Sequence, residues 1–224
     1  MIVDERITAY INSLSRELPP FLGTLEKEAI REEVPIIKKE TQSLLSFLIT
    51  MKKPVHILEV GTAVGFSALF MSECMPENCD ITTIEKVEMR LVKARVNLKS
   101  TDKAEKIRLI EGDALVVLKE LAQKESGRYD FIFMDAAKAQ YMNYLPEVLK
   151  LLGADGILVT DNVLQDGTVA RSRYGITRRD RTIHTRMREY LYTLTHLEEL
   201  STTVLSVGDG VTLSIKKQAT ETDK

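Results

Sequence analysis

Val55-His-Ile-Leu-Glu-Val-Gly-Thr-Ala-Val-Gly65 decides the fold. The apolar run reads as a buried strand, the turn begins at Gly61, and a helix opens at Gly65. Gly61 permits a tight turn, and Gly65 lets helix and strand approach closely. The dinucleotide fingerprint requires G-x-G-x-x-G. Here the spacing is E-x-G-x-x-x-G, with no third glycine and no evident pyrophosphate cradle, which disfavours a dehydrogenase.

Four further runs of the same texture follow: DITTIE (80–85), KIRLIEGD (106–113), YDFIFMD (129–135) and GILVTD (156–161). The segments near 65–75, 87–99, 114–124 and 140–152 are long and periodic enough to be crossover helices. The centre is therefore expected to be a doubly wound, Rossmann-like α/β sheet of parallel strands with helices on both faces. A helix near 178–195 and two strands, about 198–207 and 211–217, complete it, the strands meeting at the hairpin signal Gly208-Asp209-Gly210. Residues 1–50 read as a helical extension. Ile7, Tyr10, Ile11, Leu14 and Leu18 form one stripe that Pro19-Pro20 stops, and Ile37, Thr41, Leu44, Leu45 and Leu48 form a second. One domain over 1–224, with its α/β core at 55–217, is the expected organisation.

The 224 residues are 44% hydrophobic and 29% charged, the balance of a globular chain rather than a disordered one. No apolar run approaches the roughly 20 residues of a bilayer helix, and MIVDERITAY carries acids where a signal peptide is basic and then apolar, so a cytoplasmic location is expected. Cys74 and Cys79, the only cysteines, give no disulfide framework. His56, His184 and His196 are too scattered for a zinc site. The net charge of −2 hides one asymmetry: Arg171, Arg173, Arg178, Arg179, Arg181, Arg186 and Arg188 face a single acid, Asp180, within 171–188.

Five strands end in or near an acid: Glu59, Glu85, Asp113, Asp135 and Asp161. In a parallel sheet these ends share one edge, where open α/β sheets bind ligands. Glu85 is placed to accept both hydroxyls of a ribose, and Gly112-Asp113-Ala114 to read an adenine amino group. Asp135, Asp161 and Asn162 offer three hard oxygens, which suit magnesium or calcium.

The E-x-G-x-x-x-G turn, Glu85, Gly112-Asp113-Ala114, Asp135-Ala-Ala-Lys138 and Thr160-Asp161-Asn162 together resemble the S-adenosylmethionine-dependent O-methyltransferases of the caffeoyl-CoA and catechol type, over about residues 30–217. The resemblance implies a seven-stranded sheet with one antiparallel strand. It implies S-adenosylmethionine held by Glu59, Gly61, Gly65, Ser67, Glu85, Asp113, Ala114 and Asp135. It also implies Mg2+ or another divalent cation on Asp135, Asp161 and Asn162, with Lys138 as general base beside the catalytic Asp135. Val34-Pro35-Ile36, the Arg178-Arg179 cluster and Val207-Gly208-Asp209-Gly210 are similar to the bacterial branch that methylates 5-hydroxyuridine at the tRNA wobble position. On that likeness the expected partner is the tRNA anticodon region, with Arg171, Arg173, Arg178 and Arg179 as RNA-binding residues. A small-molecule catechol-like acceptor is the alternative, and a non-catalytic RNA-binding protein is the reading from another class. The helical amino end carries more apolar surface than it can bury alone, and a homodimer is expected.

Overall fold

Alternation along β4 (Tyr129–Met134) shows why the sheet carries a core on each face. Phe131 and Phe133 enter one cluster while Ile132 and Met134 enter the other, and all four are fully buried. Burial at that level stabilises by about 1.5–3 kcal/mol per side chain. In the computed structural model, which describes residues 3–218, seven strands form one sheet in the order β3-β2-β1-β4-β5-β7-β6. The other strands are β1 (His56–Val60), β2 (Asp80–Glu85), β3 (Ile107–Glu111), β5 (Leu152–Thr160), β6 (Leu200–Leu205) and β7 (Val211–Lys216). β7 pairs antiparallel with both β5 and β6, and every other pairing is parallel, so β7 alone runs against the rest.

Helices cover both faces. α2 (Pro20–Arg31), α3 (Lys39–Lys52), α4 (Phe66–Cys74) and α5 (Glu88–Lys99) bury Leu22, Leu45, Leu69 and Leu98 with Phe131 and Phe133. α6 (Ala114–Lys124), α7 (Tyr141–Leu151) and α8 (Arg181–His196) bury Leu118, Tyr144 and Tyr190 on the opposite face. No helix among the described residues is long and apolar enough to cross a membrane.

The amino end departs from expectation. α1 (Glu5–Ser13) stops well before the prolines, and Pro20 occupies the first turn of a helix that the periodicity did not announce. Proline fixes φ near the helical value and lacks only an N–H that the first turn leaves unused, so the pair starts a helix rather than stopping one. The stripe of α1 faces outward: none of its residues is buried, and Tyr10 is 67% exposed. At the other end, α8 begins at Arg181, which leaves Arg178 and Arg179 in the turn before it.

Candidate active site

A cavity of 610 Å³ opens at the carboxyl edge of the sheet. It spans the point between β1 and β4 where the strand order reverses, the usual ligand crevice of an open α/β sheet. Its wall takes Gly61 after β1, Glu85 at the end of β2, Gly112 after β3, Asp135 after β4, and Asp161 and Asn162 after β5.

One end is built around the turn after β1. Gly61 stands at φ 104°, and a Cβ there would fall 2.1 Å from the Asp135 carbonyl oxygen. Only glycine lets the first turn lie against the end of β4. Gly65, at φ 90°, starts α4, and its close neighbour is Leu98 of α5 rather than a strand, so the strand approach belongs to Gly61. Glu85 is 6% exposed, and its carboxylate accepts from the N–H groups of Ala63 at 2.9 Å, Lys86 at 2.8 Å and Val87 at 2.9 Å. Ser67 and Ala114 line the cavity.

Two of the expected acids do not line the cavity, Glu59 because it is sealed beneath the wall and Asp113 because it stands exposed outside it. Glu59 is fully buried beneath the turn, where it accepts from the Thr62 hydroxyl at 3.3 Å and from Thr83. Burial pushes its pKa up to about 7 despite these hydroxyl donors. Asp113 caps α6, accepting from Leu115 N–H at 3.0 Å, and pairs with Lys86 at 3.1 Å. The Lys86 ammonium holds it below the usual carboxylate range.

The other end is acidic. The Asn162 amide donates to the Asp135 carboxylate at 2.7 Å, which joins the ends of β4 and β5. Asp161 is 4% exposed; burial first, and then the Asp135 carboxylate beside it, push it up to about 7. Burial raises Asp135 as well. Tyr141 braces both strand ends, its hydroxyl accepting from Ala136 N–H at 3.3 Å and donating to the Asp161 carbonyl at 3.2 Å. Lys138 lies on the same wall, and its charge draws Asp135 back towards the ionised form.

Arg171, Arg173, Arg178 and Arg179 are exposed on the segment before α8 and do not line the cavity. Arg181, Arg186 and Arg188 are tied to the carbonyls of Ile176, Ala139 and Val169. Reasoning from strand ends missed part of the wall. Pro35 to Lys38, the chain entering α3, roof the acidic end, and Asp209 of the β6–β7 turn joins it. The G-D-G hairpin signal marked that turn, but nothing in its spacing marked a place in the site.

A family model described as O-methyltransferase matches residues 12–217. A catechol O-methyltransferase of Niastella koreensis is 30% identical over 125 residues, covering 56% of this chain and 57% of that enzyme. A caffeoyl-CoA O-methyltransferase of Stellaria longipes is 34% identical over 129 residues, 57% of this chain and 54% of its own length. The aligned stretch therefore spans little more than half of these two relatives. Solved structures match end to end. A Staphylococcus aureus protein provisionally named a caffeoyl-CoA O-methyltransferase aligns with TM-score 0.85 and 31% identity, over 95% of this chain and 100% of its own. An SAH-bound methyltransferase of Podospora anserina aligns with TM-score 0.83 and 28% identity, over 96% and 95%.

Proposed function

The chain belongs to the O-methyltransferase family, and from that membership we propose that it moves the methyl group of S-adenosylmethionine to a hydroxyl of a small molecule bearing a second oxygen on the adjacent carbon. The acidic end of the cavity carries this reading: the buried Asp161, the half-buried Asp135 and the Asn162 amide, with Lys138 on the same wall. A catechol presents two adjacent oxygens of that kind, and relatives named for catechol and caffeoyl-CoA support the same acceptor class.

The donor set fits a divalent cation. No three His, Cys, Asp or Glu side chains cluster as a metal site among the described residues; Asp135 and Asp161 would supply two donors, and Asn162, whose amide nitrogen contacts Asp135, would turn its amide oxygen to the ion as the third. An all-oxygen set suits Mg2+. Burial raises both aspartates, and Asp161 is raised further by the Asp135 carboxylate beside it, a site whose ionised form a bound dication would favour. A bound cation would chelate the two acceptor oxygens and favour the ionised hydroxyl.

The chain's residues do the rest. Gly61, Ser67, Glu85 and Ala114 hold S-adenosylmethionine, with Glu85 towards its ribose; Glu59 and Gly65 support that wall from behind, and the exposed Asp113 anchors Lys86 of the wall. Lys138 Nζ takes the acceptor proton. The acceptor oxygen forms its bond to the methyl carbon as the carbon–sulfur bond breaks in line, and the sulfur leaves as a neutral thioether. Walls fixed by Tyr141 and Gly61 keep the two reactants aligned, which removes orientational freedom before the step.

A second reading has its own support. Arg171, Arg173, Arg178 and Arg179 make no ion pair among the described residues and are free to meet phosphates, as methylation of 5-hydroxyuridine in the tRNA anticodon would require. A cytoplasmic homodimer belongs to either reading, supported by the outward apolar stripe of α1. Purified protein with labelled S-adenosylmethionine, a simple catechol and undermodified tRNA tests both. Label on the catechol supports the proposal, label on tRNA alone moves the second reading ahead, and label on neither in the presence of Mg2+ sinks both.

A further inference from the structure

Three segments far apart in the chain meet at the acidic end of the cavity, and one lysine joins them. Lys38 stands where the roof of the cavity enters α3, and its ammonium pairs with Asp209 of the hairpin turn and with Asp166 at 3.8 Å. The hairpin turn in turn holds the loop that carries Asn162. The Asp209 carbonyl accepts from the N–H groups of Leu164 at 2.9 Å and Gln165 at 3.1 Å, and the Gly210 carbonyl from Val163 at 2.9 Å. Contact here is close: a Cβ on Gly210, at φ 91°, would fall 2.4 Å from Leu164 Cγ.

That loop needs holding. Asn162, Gln165 and Asp166 stand at φ 64°, 48° and 52°, the left-handed region, where a residue with a side chain persists only if its surroundings impose it. Three such residues in five, one of them a candidate metal donor, make the loop dependent on its hydrogen bonds to the hairpin.

We infer that Lys38 is a positioning residue for Asn162: by fixing Asp209 and Asp166 it holds the loop in the conformation that presents the Asn162 amide to Asp135. The inference rests on the metal reading of the preceding subsection. It also predicts a sign that simple charge does not. Removing a cation near a cation site tightens metal binding if only the field matters. It weakens metal binding if the lysine holds a ligand in place.

The test uses the full chain with Mn2+ as probe, its binding followed by electron paramagnetic resonance, and with hydrogen exchange at the amides of 163–165. Lys38→Met is expected to weaken Mn2+ binding at least fivefold and to speed exchange at those amides at least tenfold. S-adenosylhomocysteine affinity should stay within twofold, and Lys38→Arg should restore both quantities. Asp209→Asn should give the same losses, and adding Lys38→Met to it should give no further loss, because the two residues act through one link. Unchanged or tighter Mn2+ binding in Lys38→Met overturns the inference, as does unchanged exchange. So does a parallel loss of cofactor affinity and melting temperature, which would make Lys38 a general brace. A parent protein that binds no Mn2+ overturns the metal reading itself, an outcome distinct from a parent and variant that bind alike.

Discussion

The Glu85 carboxylate accepts the Ala63 N–H at 2.9 Å, so the acid at the end of β2 fixes the turn that follows β1. Ala63 stands at φ 46°, a conformation that alanine does not choose unaided. With Lys86 and Val87 also donating to it, Glu85 is a fastener of the backbone as well as a candidate ribose acceptor. Glu85→Ala is accordingly expected to weaken S-adenosylhomocysteine binding ten- to a hundredfold, about 1.5–3 kcal/mol, and to cost about 2–4 kcal/mol of folding stability. Calorimetric titration and urea melts measure the two losses. A stable variant with parent-like affinity removes Glu85 from the site.

Metal dependence is the expectation that the proposed role of Asp135 and Asp161 carries. EDTA should abolish turnover and Mg2+ restore it, with S-adenosylhomocysteine affinity within about threefold throughout. Full turnover in EDTA would leave Asp135, Asp161 and Asn162 without the role proposed for them.

Glu59 sets a stability profile of definite sign. Its ordinary value is 4.5, and burial raises it to about 7 in the folded chain. Below about 4.5 both states hold the proton and Glu59 contributes no pH dependence. Between the two values the unfolded chain loses the proton first, so stability falls by up to about 1.4 kcal/mol per pH unit and levels off above about 7. Asp161 adds a similar fall from its ordinary 3.8 to about 7. A bound cation favours the ionised aspartate and reverses that second part alone. Denaturant melts of parent protein between pH 4.5 and 8 should show the decline, Glu59→Gln should flatten part of it, and Mg2+ another part. A parent stability that rises across this window would contradict the assigned burial.

Lys138→Met should lower turnover at least a hundredfold while cofactor affinity stays near normal, if the lysine, which lines the cavity with Asp135 and Asp161, takes the acceptor proton as proposed. Single-turnover kinetics separate the two quantities. A parent-like rate makes the lysine a bystander.

The strand ends were legible because short apolar runs that end in an acid are local signals, and all five parallel runs of the centre became strands. What those acids do was less legible. Glu59, Glu85 and Asp113 look alike in sequence, yet one is sealed under a turn, one fastens a turn while facing the cavity, and one caps a helix. The difference lies in which hydroxyl, N–H or lysine the fold brings to each, and no spacing encodes it. The roof at Pro35–Lys38 and its link to Asp209 were hidden for a related reason, since 171 positions separate the two partners. The outward stripe of α1 shows the limit of periodicity, which reports that a helix has an apolar face but not what covers it.

The arginine segment decides between the two acceptor readings, and the structure makes its test clean. Arg181, Arg186 and Arg188 hold backbone carbonyls, so replacing them would disturb the approach to α8. Arg178 and Arg179 are exposed and support nothing, so changing both to alanine removes charge and leaves the fold intact. If they neutralise phosphates, the double variant should bind tRNA more weakly, and the log–log slope of affinity against salt should shrink by roughly 0.7 to 0.9 for each lost contact. Methyl transfer to a catechol should change less than about twofold, because that acceptor carries no phosphate and these arginines do not line the cavity. Filter binding across a salt series measures the first quantity and labelled turnover the second. A double variant with the parent's tRNA affinity and salt slope makes these arginines a solvated face or a subunit contact. The small-molecule reading then moves ahead.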